Sequence, residues 1–364
     1  MLYKILGLIS GSSLDGLDIA YIELAENAGK WSFTILEADC YEYDKEWKEQ
    51  LKNAHRLSAL EYQLLHAAYG HHLGAEVNRF IEQHSIQYQV ALIASHGHTS
   101  FHYPAQKMTA QLGDGAAIAA KTGLPVVSDL RALDIAFGGQ GAPIVPIGEK
   151  FLFPEYNMFL NLGGIANLSF HHTDAFVAFD VCPANRVLNS IAAKIGKDYD
   201  QNGEMASAGN VHLPLLERLN ALEYYKQSAP KSLDNSFGAT EIYPLVRSFA
   251  LTHNDSLRTL VEHIVIQIKN AITVNSQLLT SESKLLVTGG GAFNGFLIHR
   301  LKEELQTLNV EIVIPAKEIV EYKEALIMAF IGALRWRQEY TVLSSATGAK
   351  RDSIGGAVWI GQEA

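Results

Sequence analysis

Cysteine is scarce here: Cys40 and Cys182 are the only two in 364 residues, so a disulfide framework does not hold the fold together. Positive charge is also in short supply. The 29 Lys and Arg against 39 Asp and Glu give a net charge of -10, which argues against nucleic acid or an anionic membrane as the main partner. Phosphate would have to be bound by backbone dipoles and a metal rather than by a lysine cluster. No apolar run approaches the roughly 20 residues that cross a bilayer, and the chain enters a strand at once, without the basic and apolar regions of a leader. A cytoplasmic protein without membrane contact is the expectation. Three catalytic signatures are missing as well. There is no GxxxxGK(S/T) Walker loop and no G-x-S-x-G elbow, and after Gly289-x-Gly291 an asparagine, Asn294, stands where a dinucleotide fingerprint needs its third glycine. Low-complexity linkers, heptad runs and charge blocks are absent too.

With 48% hydrophobic residues, the chain can bury a large core and is long enough for two domains. Three strand-turn segments rich in Gly, Ser and Thr recur: Ile5 to Leu24, Phe159 to His172 and Leu285 to Phe296. In the first two an apolar run follows the turn at once, which predicts a β-hairpin rather than a strand-to-helix loop. Small residues in such turns let several N–H groups converge, a nest suited to phosphate oxygens. The repetition suggests a duplicated domain. Trp31 to Cys40 alternates like a strand, and a helical stretch runs from about Lys45 to His84, broken near Leu57-Ser58 and Gly70. Val90 to Ser95 reads as a buried strand that ends at His96-Gly97-His98-Thr99, where α/β sheets place ligands. Asp129 to Pro146, rich in Gly and Pro, reads as a crossover loop and domain boundary. Beyond it, helices are expected from Pro183, Leu213 and Glu241, over Ser256 to Thr280, near Asn294, and over Tyr322 to Glu339, with one more strand at Glu311 to Ile314.

Several residues can carry chemistry. Gly11 to Asp18 offers amides, the hydroxyls of Ser12 and Ser13, and the carboxylates of Asp15 and Asp18, either of which can hold Mg²⁺ through water. The same residues also make an ordinary polar hairpin turn. Asp180 ends an apolar strand just before Pro183, where a carboxylate can serve as a general base. Local sequence alone favours the plainer role of a helix cap. His96, His98 and His102 lack zinc-type spacing, so hydrogen bonding to a polar substrate or to loop backbone is the better reading.

Taken together, these segments resemble anhydro-N-acetylmuramic acid kinase, a family of the actin, Hsp70 and sugar kinase superfamily. The resemblance is carried by SGSSLDGLD (10–18), HGHT (96–99), QLGDG (111–115), DLRALDIAFGGQGAPIVP (129–146), NLGGIANLS (161–169), FDVCPAN (179–185), YDQNG (199–203), PKS (230–232) and TGGGAFN (288–294). It implies an α/β, two-lobed actin-like ATPase fold, ribonuclease H-like and duplicated, with an interlobe cleft. Lobe I would comprise 1–130 plus about 341–364, and lobe II 131–340. It also implies a kinase that uses ATP and Mg²⁺ to open 1,6-anhydro-N-acetylmuramic acid and phosphorylate O6, in peptidoglycan recycling. Another sugar kinase of the superfamily, or a low-activity paralogue, is the alternative.

The roles implied by resemblance are specific. Asp180 is the catalytic base. Gly11, Ser12, Ser13, Leu14, Asp15, Gly16, Asp18, Gly163, Gly164, Gly289, Gly290, Gly291 and Asn294 bind ATP, with Asp15 reaching the metal through water. Gly97, His98, Thr99, Arg131 and Asn185 bind the sugar. Arg131 fits that role on its own chemistry, because a guanidinium grips a lactyl carboxylate at two points, although an ion pair with Asp129 or Asp134 would be equally natural. Homodimers are common among kinases of this shape. The family's DTGPGN is here Asp180-Val181-Cys182-Pro183-Ala184-Asn185, and the lost glycines predict a narrowed site. His98 replaces a glutamine.

Overall fold

The computed structural model describes residues 1–11, 14–172, 175–228, 231–234, 236–279 and 283–361. Ser12 and Ser13 of the first hairpin loop, and Pro230 of the PKS segment, lie outside the described residues. Two compact units divide the chain, Met1–Pro154 with Tyr322–Ala364, and Glu155–Glu321.

The first unit holds β1 (Leu2–Ser10), β2 (Gly16–Asn27), β3 (Lys30–Glu42), β4 (Leu92–Ser95), β5 (His98–Tyr103), β6 (Met108–Leu112), β7 (Val126–Ser128) and β13 (Ala357–Trp359). Its main sheet runs β13-β7-β4-β1-β2-β3, and β5 and β6 form a separate hairpin. The second unit holds β8 (Met158–Leu162), β9 (Ile165–His172), β10 (Ala175–Pro183), β11 (Lys284–Thr288) and β12 (Glu311–Val313), in the order β10-β9-β8-β11-β12. Set side by side, β3-β2-β1-β4-β7 and β10-β9-β8-β11-β12 are the same arrangement. In each, the first three strands form an antiparallel meander and the last two join the central strand in parallel. This is the ribonuclease H-like plan occurring twice in one chain, as in actin-like ATPases. The central strand is where sequence and burial agree most plainly: residues 5–10 of β1 are all buried, as expected of a strand covered on both faces.

Helices cover the sheets. In the first unit they are α1 (Lys45–Asn53), α2 (Ala59–Gln83), α3 (Gly115–Thr122), α4 (Ala132–Ala136) and α5 (Pro146–Leu152). The second unit has α6 (Asn185–Ala192), α7 (Glu204–Ser207), α8 (Leu213–Asn220), α9 (Tyr243–Arg247), α10 (His253–Val274) and α11 (Gly295–Gln306). Then α12 (Lys317–Trp336) begins in the second unit and continues in the first, and α13 (Ser344–Thr347) follows. Local chemistry sets their starts. Ser58 and Glu61 form a capping box on α2, Asp44 caps α1, and Thr252 caps α10. Each unit has its own apolar core. One gathers Leu6, Leu8, Tyr69, Phe80 and Ile118, and the other Leu160, Phe170, Leu260, Ile264 and Leu301.

Three expectations differ from the structure. Gly70 does not break α2: a Cβ there would sit 2.6 Å from the Asp114 carbonyl oxygen, so glycine permits close packing against the start of α3. The last long helix starts at Lys317, and Tyr322 is a kink within it (φ -116°, ψ 15°). The Gly- and Pro-rich stretch 129–146, which has the composition of a crossover, belongs with the first unit, whose border falls at Pro154. Side-chain bonds explain why. Buried Asp134 accepts from Gly141 N at 2.8 Å and from Thr347 Oγ1 at 2.7 Å, which ties the loop to the C-terminal segment.

Candidate functional site

In the first unit, the candidate residues lie at the end of β4 and in the loop between β1 and β2. Gly11 accepts from Leu14 N at 3.3 Å, and Leu14 takes a left-handed φ of 60°. Gly16 opens β2 so close to β3 that a Cβ would lie 2.6 Å from the Tyr41 carbonyl oxygen. Asp15 is exposed, while Asp18 accepts from the Cys40 thiol, whose pKa is pushed up to about 12 by burial and by the Asp18 and Asp15 carboxylates.

His96-Gly97-His98-Thr99 follows β4. Gly97 has φ +70°, and a Cβ would stand 2.3 Å from the Leu112 carbonyl oxygen, so only glycine fits. His98 Nδ1 lies 3.2 Å from Ser10 Oγ, linking this turn to the end of β1, and burial holds its pKa down to about 4. Exposed Thr99 accepts at Oγ1 from Gln111 Nε2 at 3.3 Å. Arg131 reaches the same turn. Its Nε donates to His96 Nε2 at 2.8 Å and its Nη1 to the Gly141 carbonyl at 2.6 Å. Among the described residues, neither Asp129 nor Asp134 makes the ion pair with Arg131 that the sequence allowed. Asp134 instead bonds Gly141 N and Thr347. Burial holds the guanidinium down to about 10, partly offset by the Glu324 and Asp134 charges, and it remains a cation at neutral pH. Each of the three clustered histidines bonds a protein group, His102 bonding Thr109 Oγ1 at 3.2 Å.

In the second unit, the turn between β8 and β9 meets the start of α6. Gly163 O accepts from Asn185 N at 3.1 Å and Gly164 O from Ala184 N at 2.9 Å. Asn185 Nδ2 donates to Leu162 O at 2.8 Å, and its Oδ1 would lie 3.1 Å from a Cβ on Gly291. Asn185, expected on the sugar, thus braces the two Gly-rich turns of this unit against each other. Gly289 has φ +79°, and a Cβ would fall 2.4 Å from Asn161 Oδ1, whereas one on Gly290 would meet only Asn185 Nδ2, at 3.7 Å. Asn294 caps α11, accepting from Leu297 N at 3.0 Å. The YDQNG segment supports the same corner through Asn202 Oδ1, which accepts from Gly295 N at 3.0 Å.

Asp180 sits where β10 bulges, since pairing with β9 shifts between Asp180 and Cys182. It is not a helix cap: Ala184 precedes α6 with no side-chain cap bond. Asn167, directly opposite on β9, donates to Asp180 Oδ1, while Leu233 N at 2.7 Å and Ser232 Oγ at 3.2 Å donate to Oδ2. The backbone is anchored too, with Tyr224 OH on Asp180 O at 2.7 Å and Asp180 N on Lys231 O at 3.1 Å. Burial raises the carboxyl pKa against the opposing pull of these donors. The residues that replace the family's glycines do not narrow an open surface. Cys182 and Ala184 are fully buried in the second core, with Val181 almost so.

Asn167, Ser232, Leu233 and Tyr224 had no role in the sequence reading, whereas His96, expected to bond a polar substrate or loop backbone, bonds the Gly97 carbonyl. Asn167 was within reach of counting, because the antiparallel register that pairs His172 with Ala175 also pairs Asn167 with Asp180. Ser232 and Leu233 stand more than 50 residues from Asp180, and although Ser232 lies in the PKS segment, nothing local joins either residue to the carboxylate.

A model of the anhydro-N-acetylmuramic acid kinase family matches residues 3–361. The chain belongs to that family. Anhydro-N-acetylmuramic acid kinase of Sulfurimonas denitrificans is 32% identical over 97% of this chain and 98% of its own, and that of Haemophilus influenzae is 33% identical over 97% of each. Among solved structures, the (R)-2-hydroxyglutaryl-CoA dehydratase component A of Acidaminococcus fermentans covers 91% of this chain and is itself covered to 97%, with a TM-score of 0.46 and 14% identity. Membership of the anhydro-N-acetylmuramic acid kinase family makes the chain a kinase, with ATP as phosphoryl donor and a small sugar as acceptor. Among the described residues no helix is long and apolar enough to cross a membrane.

Proposed function

We propose that this kinase converts 1,6-anhydro-N-acetylmuramic acid, ATP and water into N-acetylmuramate 6-phosphate and ADP, with Asp180 as the general base. The observation that carries this reading is the Asp180 carboxylate itself, released from capping, gripped by Asn167, Ser232 and Leu233, and raised in pKa by burial. Opening a glycosidic bridge normally takes an acid to protonate the leaving oxygen and a base to activate water. Here the leaving oxygen O6 bonds to the γ-phosphorus as the C1–O6 bond breaks, and the γ-phosphorus parts from the β-γ bridging oxygen. A phosphoryl group replaces the proton, so one carboxylate suffices. Water adds to C1 and gives its proton to Asp180.

The other residues divide between holding the sugar and holding the nucleotide. Arg131 takes the lactyl carboxylate, and Gly97, His98 and Thr99 follow His96, the residue that Arg131 Nε bonds. Two of its five N–H groups are committed to His96 and Gly141, which leaves three for a two-point contact. In the second unit, Gly163, Gly164, Gly289, Gly290, Gly291 and Asn294 form the nucleotide corner, braced by Asn185. In the first unit, the loop from Gly11 to Asp18 meets the phosphates. Exposed Asp15 suits a hydrated Mg²⁺ held through water, and the ion, when bound, offsets phosphate charge. An ATP donor supports a cytoplasmic setting for the reaction.

Reaction in ¹⁸O-labelled water tests the reading. The label is expected on C1 of the sugar product, with none in phosphate. Label in phosphate, or faster ADP release from free N-acetylmuramate than from the anhydro sugar, would favour a kinase acting on an open hydroxyl.

A further inference from the structure

The proposed reaction gives His96 no role, yet its ring is buried and held on both sides. Only 6% of the residue is exposed, and both ring nitrogens are bonded. Arg131 Nε lies 2.8 Å from His96 Nε2. A guanidinium has donors only, so Nε2 must accept. Nδ1 therefore carries the ring proton and donates to the Gly97 carbonyl at 2.9 Å. One neutral tautomer satisfies both bonds, whereas an imidazolium would set a second donor against Arg131. The titratable groups that face the ring, Arg131 and His98, act in the same sense as burial, which holds its pKa down to about 3.

The arginine is thus gripped at two adjacent nitrogens by groups that cannot easily move. His96 leaves β4 directly and is buried, and Gly141, the second anchor, is fixed by Asp134. Charge alone would not require this. A freely rotating guanidinium attracts an anion, but one held by a ring acceptor presents its remaining N–H groups in a set direction, so less ordering is needed when ligand binds.

Resting on the reading of Arg131 as the carboxylate site, we propose that His96 is a positioning residue, whose neutral Nδ1–H tautomer aims the Arg131 guanidinium at the carboxylate of an acidic anhydro sugar. It acts through Arg131 and touches no reacting atom.

The experiment compares the wild type with His96→Phe, His96→Gln, Arg131→Ala and the His96→Phe/Arg131→Ala double variant, measuring kcat and the KM for sugar and for ATP. Phe keeps the ring but has no acceptor. It is expected to raise the sugar KM by roughly 10- to 100-fold, the cost of losing one hydrogen bond to a charged group, with ATP KM nearly unchanged. Gln offers an acceptor oxygen at similar reach and should recover most of that loss. In the Arg131→Ala background the Phe substitution should add nothing. Multiplying defects, or a Gln variant as impaired as Phe, would overturn the proposal. An Arg131→Ala enzyme with unchanged sugar KM would instead overturn the carboxylate reading beneath it. If the Phe variant does not fold, ¹⁵N spectra of the histidine-labelled wild type decide. His96 should remain the neutral Nδ1–H tautomer between about pH 5 and 8, and an imidazolium or the opposite tautomer would overturn the proposal.

Discussion

Asp180 balances two opposed influences. Burial favours its protonated form, while Leu233 N, Ser232 Oγ and Asn167 Nδ2 favour the carboxylate. Removing one donor must tip the balance in a known direction. In Ser232→Ala the carboxyl pKa should rise further, so the base is protonated at higher pH and the acid limb of the kcat profile moves upward. Sugar KM should change little. An acid limb that stays in place would mean that Ser232 does not sense the titrating group. Residue chemistry also explains why the exchange of glycines for Cys182 and Ala184 misleads when read from sequence. Spacing alone does not say which way a side chain points, and these two point into the core.

At the scale of elements, glycine marks places where two segments touch. Gly7, mid-strand in β1, leaves room for α12: a Cβ would lie 1.9 Å from the Ala325 carbonyl oxygen. Gly7→Ala should therefore lower stability by about 1–3 kcal/mol or more in denaturant titration, because backbone rather than a flexible side chain blocks the space. A loss below about 0.5 kcal/mol would show that α12 gives way. Gly289→Ala joins a left-handed φ of +79° to a 2.4 Å clash with Asn161 Oδ1, and should weaken nucleotide binding in calorimetry while the sugar's own affinity holds. Equal loss for both ligands would contradict assignment of this turn to ATP.

The hairpins were the most legible parts of the chain, since an apolar run, a small-residue turn and a second apolar run specify pairing locally. The border between units was not legible. Gly138, Gly139, Gly141 and Pro143 look like linker composition, and the bonds that bind that stretch to the first unit are distant in sequence, among them Asp134 to Thr347 213 residues ahead, Gln140 N to the Thr347 carbonyl and Arg131 Nε to His96 Nε2. His96 was visible as one of three histidines, but its partner Arg131 lies 35 residues away and nothing local joins them.

For the whole molecule, buried neutral histidines set an acid limit. His96 and His263 have pKa values held down to about 3 and His98 to about 4, all by burial first, against about 6.5 for an unfolded chain. The unfolded state takes up protons that the folded state refuses. Their contribution is therefore intact above pH ~6.5 and lost progressively as pH falls toward 3–4, which thermal melts should register as a falling Tm. A flat Tm over that range would mean that these rings protonate without unfolding.

Activation of water by Asp180 is the step on which the whole proposed reaction depends. The most direct measurement is ADP release by Asp180→Asn with 1,6-anhydro-N-acetylmuramic acid as sole acceptor, alongside a nucleotide titration of the same variant. Turnover is predicted to fall by roughly a thousandfold, with nucleotide affinity nearly unchanged. Turnover within a few-fold of the wild type would assign the proton to another group and contradict the mechanism.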